Sequence, residues 1–127
     1  MSGGSRLAKA SAVPGPPTVV VTLPAEVDAG NSGLVRAALA GALASTPKVV
    51  IADGTETGFC DCSAIAALMV IHSQAAAAGA QLRVVVTSAA MRRVIDLVEA
   101  DRVLLVYPSL EAAQADGSRP PSPPQAA

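Results

Sequence analysis

Aromatic residues are nearly missing from this chain of 127 residues: it has no tryptophan, one phenylalanine (Phe59) and one tyrosine (Tyr107). A core must therefore be built from aliphatic side chains and alanine. No sign of charge dominates either. The formal net charge is −1 with no block of like charges, which gives no footing for nucleic acid or a membrane surface as partner. Long apolar runs are lacking too. The longest, Ala64 to Ile71, falls well short of the roughly 20 residues a membrane span needs. No apolar stretch precedes Pro14, so no signal peptide and a cytoplasmic location are expected. The single histidine, His72, has no carboxylate or cysteine at ligand spacing, and it is read as packed rather than catalytic. Gly3-Gly4 is the nearest thing to a glycine-rich phosphate loop, and it does not follow a strand. No metal and no cofactor are expected.

What remains has a clear order. Residues 1–17 are mostly Gly, Ser, Pro and Ala with two basic side chains, and residues 116–127 carry Pro120, Pro121, Pro123 and Pro124. Neither end has enough large apolar groups to offset the entropy of ordering, so both read as flexible tails, with a short edge strand conceivable within 7–13. Residues 18–115 form the folded unit. Thr18–Leu23, Lys48–Ala52, Gln81–Thr87 and Val103–Val106 are β-branched or aliphatic runs bounded by turn residues, hence strands. Between them, Leu34, Val35, Ala38, Leu39, Ala42 and Leu43 recur at helical spacing, with Asn31 or Ser32 as cap. Ile65, Leu68, Met69 and His72 mark a second helix that stops at Gly79. Ser88 caps a third, whose Met91, Val94, Ile95 and Val98 form an inward stripe with Arg92, Arg93, Asp96 and Glu99 outside; Ser109 caps a short fourth. Alternation of strand and helix with short connections predicts a single α/β domain: a mostly parallel or mixed sheet of four to five strands packed with four helices.

Residues 59–68, FCDCSAIAAL, hold the densest chemistry. Asp61-Cys62-Ser63 falls at the start of the second helix, where unpaired amides and the helix dipole favour negative charge. Capping alone is a sufficient reason for Asp61. A phosphatase-type thiol loop needs Arg six positions after the cysteine, and those positions hold Leu68 and Ala66. Cys60 and Cys62 could bridge only through a small strained ring. Cys60 reads as buried and inert. Cys62 is open to a redox role, which the adjacent acid opposes.

The stretch Val49 to Ile65 resembles the signature of the STAS domain, the fold of bacterial anti-sigma factor antagonists and of sulfate-transporter tails. In that pattern an aliphatic strand ends in Asp, a second Asp follows eight residues later, then two Ser/Thr positions and Gly-Leu. Here Asp53 and Asp61 have that separation, and Phe59 takes the aromatic place. Leu23-Pro-Ala-Glu-Val-Asp28, Met91-Arg-Arg-Val-Ile-Asp-Leu97 and Val106-Tyr-Pro-Ser-Leu-Glu-Ala-Ala113 resemble further family segments in the right order. The resemblance implies a non-enzymatic regulator, monomeric when free, that binds an anti-sigma factor of the serine-kinase type and so frees a sigma factor. The kinase would switch it off by phosphorylating the first Ser/Thr after the second Asp. By carry-over, Asp28, Asn31, Asp61, Cys62, Ser63 and Ala64 line the partner surface.

The sequence departs from the pattern at the decisive position. Cys62 fills the phosphoacceptor slot, Ser63 the second slot, and Ala64-Ile65 replaces Gly-Leu; Gly54 and Glu56 stand where Leu and Gly are common. The switch is thus disabled or displaced. Ser63 keeps a hydroxyl, but one step along a helix turns it by about 100°. A stress- or redox-sensing scaffold that uses Cys62 is the alternative.

Overall fold

Short β-branched runs and the helices between them build one main sheet in the computed structural model, which describes residues 8–10 and 17–115. In chain order the elements are β1 (Ala8–Ala10), β2 (Thr18–Thr22), β3 (Glu26–Val27), α1 (Ser32–Leu43), β4 (Val49–Gly54), β5 (Phe59–Cys60), α2 (Cys62–Ala77), β6 (Gln81–Val86), α3 (Ala89–Leu97), a 3-10 turn (Ala100–Arg102), β7 (Leu105–Tyr107) and α4 (Leu110–Ala115). The sheet runs β1-β2-β4-β6-β7, with β1 antiparallel to β2 and every other pairing parallel. β1 lies within the 7–13 stretch considered for an edge strand. The tail readings for residues 1–7, 11–16 and 116–127 lie outside the described residues.

Side-chain alternation divides the sheet into two faces. Val50, Ala52, Leu82, Val84 and Val86 join Val35 and Leu39 of α1, Ile65, Leu68 and Ile71 of α2, and Met91 and Ile95 of α3 in the larger core. Val49, Ile51 and Val85 point the other way and meet Ala113 and Leu110 of α4. Every residue of β4 is buried, as its central position demands. On the α4 face, Arg83 is buried as well: its Nε donates to Gln81 Oε1 and its Nη1 to the Ala113 carbonyl, both at 2.6 Å, and its guanidinium lies 5.9 Å from the Tyr107 ring centre. Among the described residues no carboxylate is paired with it.

Several local expectations hold. Gly79 takes φ +77°, and Ala80 N–H and Gly79 N–H close back on the Ala75 and Ala76 carbonyls to finish α2. The Ser88 and Ser109 hydroxyls accept from Met91 and Ala112 N–H at 3.0 Å. Others need correction. Val98, placed on the inward stripe, is 45% exposed, because α3 stops at Leu97 and Glu99 turns left-handed at φ 58°, which breaks the helical register. Val103 is not in the last strand but precedes it, exposed beyond the 3-10 turn. Asn31 lies at the start of α1 yet makes no side-chain cap. It is used elsewhere, as described below.

Gly54, a departure from the family pattern, has a physical reason. A Cβ there would run into the backbone carbonyl oxygen of Val85 on the neighbouring strand. Gly41, inside α1, would meet nothing within 4 Å. Gly54→Ala should therefore destabilise the protein by about 1–3 kcal/mol through overpacking. Gly41→Ala should stabilise it by about 0.5–1 kcal/mol through reduced backbone entropy. Urea unfolding of the two variants checks both signs.

Candidate functional site

Two tiny strands assemble the site. β3 and β5 pair in parallel, Glu26 with Phe59 and Val27 with Cys60, and Asp61 N–H continues the ladder to the Val27 carbonyl at 3.2 Å. The residues that follow, Asp28 on one chain segment and Asp61 on the other, are thereby brought side by side. Sequence inspection missed both strands, since two residues carry no period.

Each segment is then fixed by its own side chains. Asn31 Oδ1 accepts from Asp28 N–H at 2.9 Å and its Nδ2 donates to the Glu26 carbonyl at 2.8 Å. Asp28 Oδ1 accepts from Gly30 N–H at 2.9 Å, so the turn into α1 is held from both ends. In the other segment, buried Asp53 accepts from the N–H and hydroxyl of Thr55 as the chain leaves β4. Buried Thr57 donates its hydroxyl to the Pro24 carbonyl at 2.8 Å, and Gly58 N–H reaches the Ala25 carbonyl at 2.8 Å. Thr87 and Ser88 hold the same loop through the Thr55 and Gly58 carbonyls. The eight-residue separation of Asp53 and Asp61 is thus spanned by a pinned loop.

Asp61 is the N-cap of α2. One carboxylate oxygen accepts from Ser63 N–H at 2.9 Å, from Ala64 N–H at 3.4 Å and from the Ser63 hydroxyl at 2.5 Å. That hydroxyl, with the N–H groups of Ser63, Ala64 and Ala29 and against some desolvation, holds the Asp61 carboxyl below the ordinary carboxylate range. Cys60 is fully buried, and burial above all, with the charge of Asp61 and the neighbouring Cys62 behind it, pushes its thiol up to about 11. Cys62 is exposed, and the two cysteines are free.

The predicted surface residues do not all reach solvent. Asp28, Asn31, Asp61 and Ser63 are part-exposed and Cys62 is open, but Ala64 is buried: its position on α2 points into the core beside Ile65 and Leu68. Cys62 and Ser63 face different ways. Cys62 opens on an apolar groove of about 420 Å3, walled by Ile65, Met69, Val98 and Val103, with Glu99 and Arg102 also on its lining. Ser63 faces a second groove, against α1, that contains Arg36. Neither groove was foreseen. The one available signal was that the 16 residues of α2 carry no formal charge, so its outer face, with Ala66 and Val70 exposed beside Ser73 and Gln74, is only weakly polar. Among the described residues no group of three His, Cys, Asp or Glu could hold a metal ion, and no helix is long and apolar enough to cross a membrane.

The sequence model of the STAS domain matches residues 9–113. Solved structures agree in fold. An anti-sigma factor antagonist from Mycobacterium paratuberculosis is 20% identical, with a TM-score of 0.76 over 88% of this chain and 93% of that one. A putative anti-sigma factor antagonist from Thermotoga maritima is 16% identical, with a TM-score of 0.75 over 90% and 97%. The antagonist SpoIIAA, in its unphosphorylated form, is 19% identical, with a TM-score of 0.60 over 86% and 94%. At such identities the likeness is one of fold. No curated protein matches the chain significantly.

Two measurements follow from the site. A thiol reagent at neutral pH should titrate one cysteine per native chain and two after denaturation, with Cys62→Ser abolishing the native reaction. The lowered carboxyl of Asp61 contributes stability that is complete above its ordinary value of 3.8 and is lost as pH falls through the folded value. Asp61→Asn should therefore lose less stability than wild type on acidification below about pH 4, as read by thermal melts across that range.

Proposed function

The chain belongs to the STAS domain family, and on that premise we propose that it is an anti-sigma factor antagonist: a non-enzymatic cytoplasmic protein, monomeric when free, that binds an anti-sigma factor of the serine-kinase type and so releases a sigma factor. The observation that carries this reading is the pairing of β3 with β5, which sets the Asp28–Asn31 turn against the capped start of α2. Asp28, Asp61 and the Ser63 hydroxyl then lie together at one pinned edge of the domain, with the exposed thiol of Cys62 next to it but turned to the other groove. Fixed turns of this kind lose little entropy on docking, and the acidic pair suits a basic residue on the partner.

The partner-switching step is altered by Cys62. A thiol in the usual acceptor slot is not the substrate of a serine kinase, so a bound kinase-type partner has no hydroxyl at that position. The redox alternative rests on Cys62 alone, since the thiol of Cys60 is enclosed and hard to ionise.

The test is binding to the kinase-type anti-sigma factors encoded in the same genome, co-expressed one by one and measured by titration calorimetry. Asp61→Lys is expected to weaken the complex at least about tenfold while circular dichroism stays native. Asp61→Asn, which keeps a capping oxygen, should weaken it less. Normal binding by Asp61→Lys, or no complex with any such factor, would overturn the assignment.

A further inference from the structure

The β3–β5 ladder has an outward face that the core leaves unused. Side chains alternate along both strands. Val27 and Cys60 point inward and are buried, so Glu26 and Phe59 on one step, and Asp28 and Asp61 on the next, point outward. Asp61 keeps the alternation because its backbone is still extended, at φ −114° and ψ −173°. Glu26 and Phe59 are direct cross-strand partners, on strands about 4.8 Å apart. Phe59 is the one phenylalanine of a chain poor in aromatic residues, yet it stands 49% exposed, because Cys60 holds the inward position on β5. Among the described residues no cation lies over its ring, and Glu26, Asp28 and Asp61 take part in no ion pair. Asp28 and Asp61 hold N–H groups of their own turns. The Glu26 carboxylate holds nothing among the described residues.

We propose that this sheet face takes an arginine side chain of the anti-sigma partner, whose guanidinium lies flat on the Phe59 ring and turns its N–H edge to the Glu26 carboxylate. The contact rests on the function proposed above and adds two residues outside the surface that the family resemblance implies. The electron-rich face of a phenyl ring attracts a cation, and the unpaired carboxylates around it make the local potential negative. An apolar partner side chain would suit the ring but would bury Glu26 without a partner, at a desolvation cost. A lysine presents one compact charge, to the ring or to the acid. A planar guanidinium serves both at once, stacking by its face and donating from its edge. The ladder is held in place beforehand: the Thr57 hydroxyl bonds the Pro24 carbonyl and Gly58 N–H the Ala25 carbonyl, just ahead of the two strands. Little order is therefore lost on docking. Asp28 and Asp61 follow two residues along, so the matching surface of the partner is basic at two points about 7 Å apart.

Calorimetric titration with a kinase-type factor that binds the chain reads the contact. Phe59→Leu keeps an apolar side chain and removes the ring, and it is expected to weaken the complex about three- to tenfold. Phe59→Trp, with the stronger cation-binding face, should bind at least as tightly as wild type. Glu26→Gln, at an exposed position, is expected to lose about three- to tenfold as well. The double variant Glu26→Gln/Phe59→Leu should lose less than the product of the two, since both side chains hold one guanidinium. Leu97→Ala, an exposed apolar position at the far end of α3, serves as reference. Circular dichroism and thermal melting check each fold, and Glu26→Gln carries the measurement if Phe59→Leu does not fold. Wild-type affinity in Phe59→Leu marks an apolar contact and overturns the proposal, as does wild-type affinity in Glu26→Gln. Either result leaves the antagonist assignment standing where Asp61→Lys still weakens the complex. Absence of a complex with every such factor removes the assignment and this contact with it.

Discussion

Double-sided burial of β4 is the constraint on which this domain depends. All six of its residues are enclosed, so neither face of the sheet can be left to water. Because aromatic side chains are almost lacking, the covering has to be done by many small contacts among Val, Ile, Leu and Ala rather than by a few large rings. Three helices supply that cover on one face and the short α4 on the other. The close approach of β4 to β6 then dictates glycine at 54. Once these positions are set, the loop after β4 has one place to go: over the end of the sheet and back beside β3.

The site is a consequence of that route. Its polar groups serve structure first: Asp53 starts the loop, Thr57 pins it, Asn31 holds the opposing turn and Asp61 caps α2. This edge is therefore pinned by bonds that the fold itself requires, and the charge of Asp28 and Asp61 is already partly used in holding N–H groups. Capping by Asp61 leaves its charge in place for the proposed docking role. A carboxylate kept ionised by a helix start is also a carboxylate whose charge is in a known place.

The fold was legible in the sequence to the extent that period was. β2, β4, β6 and the three longer helices each carry enough residues for alternation or a 3.6-residue stripe to show. Caps at Ser88 and Ser109 and the stop at Gly79 were legible because they depend on one residue type at one position. What failed did so where tertiary geometry overrode a local pattern. Val98 fits the stripe of α3 on paper, but the helix ends one residue earlier. Asn31 is a good cap by type, yet its amide is taken by Glu26 and Asp28. Ala64 follows the exposed Cys62 by two residues, and on a helix that is enough to turn it inward. The pairing of β3 with β5, which makes the site, lies between segments more than 30 residues apart and leaves no mark on either.

Arg83 places a permanent charge inside the thinner half of the molecule, neutralised by no acid among the described residues but solvated by Gln81, the Tyr107 ring and the Ala113 carbonyl of α4. That arrangement ties the fate of a six-residue helix to the central sheet. If α4 frayed, as so short a helix normally would, the guanidinium would lose its best acceptor while still flanked by Val85 and the aliphatic face of the sheet, a state costing several kcal/mol. Partial opening at this end is thus penalised from within, and α4 should share the amide-exchange protection of β6 instead of behaving as a loose terminus.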